Sequence, residues 1–180
     1  MPEQHPSVDS EKGEIPYHVP VMLQEAIDGL DIKPEGIYVD CTFGGGGHGR
    51  AILQRLTEKG KLIAFDQDED AGRNLPKDPR LIFVPHNFRH IGRFLKLYKA
   101  EKVDGILADL GVSSHQFDEA ARGFSTRFDA ALDMRMDQAG PSGADFLNQA
   151  PEVELKRVFA DYGDERRAGA LAREVVRRRG

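Results

Sequence analysis

The feature that most constrains this 180-residue chain is the string Asp40-Cys41-Thr42-Phe43-Gly44-Gly45-Gly46-Gly47-His48-Gly49, set between an apolar run and an amphipathic one. Four consecutive glycines lower stability unless the backbone must take positive φ or let something approach closely. After a strand and before a helix, such a turn leaves backbone N–H groups free to face a polar ligand. The string therefore predicts a strand–turn–helix unit built around a bound molecule.

The flanking pattern supplies the fold. Apolar runs at Ile37 to Cys41, Leu62 to Asp66, Leu81 to Val84 and Val103 to Asp109 alternate with amphipathic stretches at His48 to Thr57, Glu69 to Leu75 and Phe88 to Tyr98. Four strands joined by three helical crossovers predict a doubly wound parallel α/β sheet, because parallel neighbours need long right-handed connections. With the first strand central, the order is 3-2-1-4. The switch point then falls between strands one and four, and ligands gather at their carboxyl ends.

A short helix from Val21 to Leu30 precedes the sheet. Residues 1–16, with Pro2, Pro6 and Pro16 and no apolar periodicity, read as a flexible tail, with order beginning near Tyr17. After Asp109 the chain is loop-rich up to Gly143 and then helical. Its stripes are Ala144, Phe146, Leu147 and Ala150, then Val153, Leu155, Val158, Phe159 and Tyr162, then Ala168 to Val176. The expected organisation is a tail over 1–16, an α/β core over 17–118 and a helical part over 119–180.

Cys41 is the single cysteine, so neither an internal disulfide nor a zinc cluster is expected, and no apolar run reaches membrane-spanning length. A soluble protein of the reducing cytoplasm fits. A net charge of −5 argues against non-specific nucleic-acid binding. The arginines from Arg166 to Arg179 read as a solvated helix face with paired charges rather than a phosphate-binding surface.

The residues alone fit two cofactors. Gly44, Gly46 and Gly49 satisfy G-x-G-x-x-G, and Asp66 ends strand two, which together form a dinucleotide fingerprint for NAD. Asp40 tilts the choice, since a pyrophosphate wants a helix N-terminus free of carboxylates whereas the ammonium of S-adenosylmethionine wants acceptors. Asp66 suits either, as an acceptor for ribose hydroxyls. His48 is a ligand contact or only a polar residue at a helix start. Phe88 stacks on an adenine or joins the core.

The acidic run Asp66-Gln67-Asp68-Glu69-Asp70 reads as helix capping by Asp68, not as a metal site. Asp109, ending strand four, is placed either for chemistry or to tie down the loop Leu110-Gly111-Val112-Ser113-Ser114 through backbone N–H groups. His115 and Gln116 add polar groups to the same rim. Ser113 and Ser114 lack the His/Asp pairing of a nucleophile.

These strings resemble one family, the bacterial methyltransferase H enzymes that methylate N4 of a cytidine in 16S ribosomal RNA. The likeness runs through YHVPVMLQEAIDGL (Tyr17 to Leu30), VDCTFGGGGHG (Val39 to Gly49), LIAFDQDEDA (Leu62 to Ala71), DLGVSSHQFD (Asp109 to Asp118), RGFS (Arg122 to Ser125), LDMRMD (Leu132 to Asp137) and Ala144 to Ala168. It implies a class I S-adenosylmethionine methyltransferase fold with an inserted helical domain that grips RNA. It further implies cofactor contacts from Gly46, Gly47, His48, Asp66, Phe88, Asp109 and Gln116, with Asp109 accepting a proton in catalysis.

The sequence departs from the family at His115 and Ala131, where proline is usual, and at Gly49, where serine is usual. The family also continues well past Gly180, so the chain reads as an N-terminal fragment of impaired activity. A sheet ending at strand four would present an edge that invites a homodimer.

Overall fold

The structure, a computed structural model, describes residues 20–179. The tail expected over 1–16 and the onset of order expected at Tyr17 lie outside them. Four strands, β1 (Ile37–Asp40), β2 (Lys61–Phe65), β3 (Leu81–Val84) and β4 (Gly105–Leu107), form one sheet. All three pairings are parallel, and the order is β3-β2-β1-β4, as the alternation of runs predicts.

Period-two alternation sends the strand residues to two opposite cores. On one face Tyr38, Leu62 and Ala64 pack with Ile27 of α1 (Leu23–Gly29), with Ile52 and Leu53 of α2 (Gly47–Arg55), and with Phe43 and Leu56. On the other, Val39, Cys41, Ile63, Phe65 and Val84 pack with Ile91, Phe94 and Leu95 of α3 (Ile91–Leu97). Edge-to-face aromatic pairs anchor both sides, Phe43 against Phe83 at 5.7 Å and Phe65 against Phe94 at 5.8 Å.

Two crossovers are tighter than the sequence suggests. The stretch expected as a helix from Glu69 to Leu75 is a 3₁₀ helix over Glu69–Asn74, and that expected from Phe88 opens as a 3₁₀ turn, Phe88–His90, before α3. In each case an Asx side chain, Asp68 or Asn87, accepts from the N–H two residues on and tightens the first turn. β4 is also shorter than expected. The Asp104 carboxylate takes the N–H of Ile37 at 3.0 Å, and the N–H of Asp109 goes to the Thr42 hydroxyl at 2.8 Å, so side chains replace ladder bonds at both ends.

Beyond β4 come α4 (Ser114–Asp118), a 3₁₀ turn (Ala120–Arg122) and an irregular stretch up to Ser142. Three helices follow, α5 (Gly143–Gln149), α6 (Glu152–Asp161) and α7 (Ala168–Arg178), around Ala150, Leu155 and Ala172. Among the described residues no helix is long and apolar enough to cross a membrane.

Gly46 sits at the crossing of loop and core, with φ +78°, and a Cβ there would stand 2.8 Å from the Phe43 ring. Gly46→Ala is expected to cost roughly 1–3 kcal/mol from left-handed backbone plus overpacking. Gly92→Ala, on α3 with open space around it, is expected to be neutral or stabilising by up to about 1 kcal/mol. Urea unfolding of the two variants checks the contrast.

Candidate functional site

The carboxyl ends of β1, β2 and β4 open into a cavity of about 520 Å³, within the range of small-molecule sites. Its walls include Gly44, Gly45 and Gly47 of the turn, His48, Asp66, Phe88, Asp109 and Gln116. Of the sequence-predicted residues, Asp40, Gly46 and Gly49 are not in the wall: Gly46 and Gly49 are buried against Phe43, and Asp40 is fully buried. Phe88 lies on the wall with 36% of its surface exposed, and no core cluster includes it.

Backbone donors hold the turn in shape. The Asp66 carboxylate accepts from Gly44 N at 2.7 Å and from Asp68 N at 2.9 Å, so β2 fixes the glycine run across the sheet edge. Asp40 accepts from Thr42 N at 3.0 Å, and Phe43 N donates to Phe65 O at 2.9 Å. Thr42 in turn accepts from Asp109 N at 2.8 Å, which links the turn to the end of β4.

Acidic groups dominate the electrostatics. Asp40 is fully buried and its Oδ2 has no partner. Burial pushes its carboxyl up to about 7 against the pull of the Thr42 N–H, and the negative charges of Asp66 and Asp109 add to the rise. Burial also raises Asp66, opposed by the N–H donors of Asp68 and Gly44. His48 is buried, its Nε2 unpartnered and its Nδ1 4.0 Å from Asp109 Oδ2. Burial lowers its pKa more than the Asp109 charge raises it, which favours neutral imidazole. A cavity walled by Asp66 and Asp109, with a third carboxylate buried nearby at Asp40, suits a ligand that brings positive charge.

A second set of contacts, absent from the sequence reading, fixes the far wall. Asp68 is buried, and its carboxylate accepts from Gln116 Nε2 and Arg122 Nη1, each at 2.7 Å, and from Asp70 N at 3.1 Å. Capping by Asp68 is as expected; the buried guanidinium is not. Burial alone would raise Asp68, but the bonds from Gln116 and Arg122 outweigh it and hold the carboxyl below its ordinary range. Arg122 Nη2 reaches the carbonyls of Arg135 (2.9 Å) and Met136 (3.2 Å), and Met136 lines the cavity. Arg122 thus ties the segment 132–137 to the loop after β2.

Gln116 is committed on both sides, since its Oε1 also accepts from Ser113 N at 3.1 Å in the capping box that starts α4. His115 stands 3.3 Å from Asp70 Oδ2, so the residue that departs from the family pattern brings an extra contact at this rim. Among the described residues no group of three or more His, Cys, Asp or Glu is placed to hold a metal ion.

A parallel sheet with a glycine turn at its switch point and carboxylates around the opening defines a Rossmann-like domain of the class I methyltransferase type. Residues 16–180 match the MraW methylase family, and the chain belongs to that family. It is 56% identical over 164 residues to a protein of Christiangramia forsetii named ribosomal RNA small subunit methyltransferase H, covering 91% of this chain and 54% of the relative. A Flavobacterium johnsoniae protein of the same name is 58% identical over 164 residues, with coverage of 91% and 54%. One from Bacteroides thetaiotaomicron is 54% identical over 170 residues, covering 94% and 56%. The chain spans about half the length of these curated relatives.

Two outcomes follow from the buried charges. Arg122→Met strands the Asp68 carboxylate and is expected to cost roughly 3–5 kcal/mol. Adding Asp68→Asn should restore part of that loss in urea unfolding, because the uncompensated charge is gone.

For Asp40, the folded chain keeps the proton up to about pH 7 while the unfolded chain releases it near 3.8. Folding therefore takes up a proton between those values, and stability falls as pH rises through them. Asp40→Asn should stabilise the ligand-free chain by an amount that grows from pH 5 to 7 and levels off at on the order of 2–4 kcal/mol. Unfolding at pH 5, 6, 7 and 8 reads this directly; a gap independent of pH would contradict it.

Proposed function

We propose that the cavity holds S-adenosylmethionine and that the chain supplies the methyl-transfer core of an enzyme acting on N4 of a cytidine in 16S ribosomal RNA of the small subunit. The observation that carries the reading is the pair of carboxylates Asp66 and Asp109 in the cavity wall on either side of the glycine turn, with the buried charge of Asp40, whose Oδ2 lacks any donor, behind the turn at the end of β1. An ammonium and a sulfonium satisfy such a site, whereas a pyrophosphate would meet repulsion. That disfavours the nicotinamide alternative. The methylase family and the names of the relatives support methyl transfer and a small-subunit RNA substrate.

In this reading Gly47 and His48 hold the cofactor from the turn that Gly46 shapes from beneath, Asp66 accepts its ribose hydroxyls, Phe88 faces its adenine, and Asp109 and Gln116 complete the wall. Bound there, S-adenosylmethionine would supply an electrophilic methyl group. The exocyclic amine of cytosine is a weak nucleophile and must lose a proton as the new bond forms, so a nearby acceptor is required. Asp109 serves that role. Its side chain is 58% exposed at the cavity mouth, and its backbone is fixed by Thr42. Neutral His48 behind it does not compete for its charge. The target base must leave its stack to reach the cavity, which single-stranded or distorted RNA permits.

The test is methyl transfer from labelled S-adenosylmethionine to small-subunit particles, run with a chain of the relatives' full length and with this half-length chain. Transfer by the shorter chain is expected to be weaker. Asp109→Ala in the longer chain should lower turnover roughly 100-fold or more while measurable cofactor binding remains. Unchanged turnover would overturn the assignment of Asp109.

A further inference from the structure

Three side chains beside the cavity serve neither the core nor the cofactor reading. Phe117 and Phe128 are each 42% exposed, and neither belongs to a core cluster. Between them lies Arg127, with its guanidinium carbon 5.3 Å from the Phe117 ring and 5.5 Å from the Phe128 ring. We infer that Phe117, Arg127 and Phe128 form a stacking platform for an unpaired nucleobase that neighbours the one entering the cavity. The inference rests on the RNA reading above and names the surface that would engage that substrate.

Position is the first argument. Phe117 directly follows Gln116 on α4, and Ser113, Ser114, His115 and Gln116 all line the cavity. α4 therefore borders the cavity, and Phe117 stands within reach of a nucleotide adjoining the one that enters. Leu110 and Val112, on the same rim, are also exposed and apolar, so the approach is a surface for base faces.

Order is the second argument. Arg127 donates to Asp118 Oδ1 at 2.6 Å, to Ser125 Oγ at 3.2 Å and to Phe117 O at 3.5 Å. The guanidinium is therefore held in place before any ligand arrives, and little side-chain entropy remains to be lost on binding. Planar aromatic and guanidinium faces are what unpaired bases stack on in single-stranded RNA recognition.

Charge is the third argument and selects the mode. Asp118, Glu119 and Asp129 adjoin the platform residues in sequence, and Asp118 is paired with Arg127. Phosphates are not attracted here, so recognition proceeds through base faces and releases few counterions.

The experiment measures binding of a short fluorescent oligocytidine to this chain by anisotropy, with S-adenosylmethionine present, at low and at physiological salt. Calorimetry on the same samples reads cofactor binding. Phe117→Ala and Phe128→Ala should each weaken RNA binding about five- to a hundred-fold, by a similar factor at both salts, with cofactor affinity and thermal stability unchanged. Phe117→Leu and Phe128→Leu keep apolar bulk but lose the ring, and should show nearly the same loss.

If the leucine variants bind RNA like the parent, the surface is an apolar contact for a protein segment and the platform is overturned. Cofactor bound without RNA affinity also overturns the platform and leaves the cofactor reading standing. An unsubstituted chain that binds no cofactor overturns both.

Discussion

The site's shape depends on one buried carboxylate. Asp68 stands in the loop just after β2, and three elements hang from it: the 3₁₀ turn it caps, α4 through Gln116, and the 132–137 segment through Arg122. The ion pair excludes solvent, so its worth lies less in net stabilisation than in the penalty for every arrangement that separates its partners. A loop of more than twenty residues with little regular structure acquires a defined place because the buried Arg122 finds its acceptors at Asp68 and at the carbonyls of Arg135 and Met136. The far wall of the cavity is thereby as well specified as the near one.

On the near wall the governing term has the opposite sign. Asp40, Asp66 and Asp109 are brought together by strand order, since β1 lies between β2 and β4 and an aspartate ends β1 or follows β2 and β4 within two residues. Burial drives Asp40 toward its neutral form. The protein thus stores an unfavourable charge arrangement at the place where backbone N–H groups of the glycine turn also lie. A ligand with cationic groups relieves the first feature, and one with acceptor atoms uses the second.

Much of this was legible in the sequence. Alternating runs give the sheet order because parallel connections admit few topologies, and the glycine run marks the turn because no other residue takes φ +78° against Phe43 without strain. The capping role of Asp68 follows from its place before a helical turn. What was not legible is Arg122: its partner lies far away in sequence, and the intervening loop has no periodicity that would announce a buried guanidinium. The string RGFS flagged the position without a reason. The short β4 was hidden as well, since nothing local shows that Asp104 and Asp109 make their bonds to side chains and backbone near β1 instead of extending the ladder.

The central claim is that charge, not glycine pattern, selects the ligand of this cavity. Titration calorimetry of the 180-residue chain with S-adenosylmethionine and, separately, with NAD at pH 8 tests it most directly. The account predicts saturable one-to-one heat with S-adenosylmethionine, none with NAD, and weaker S-adenosylmethionine binding on Asp40→Asn, which removes a buried negative charge near the cavity. Binding of NAD at comparable strength, or S-adenosylmethionine binding indifferent to Asp40, would contradict it.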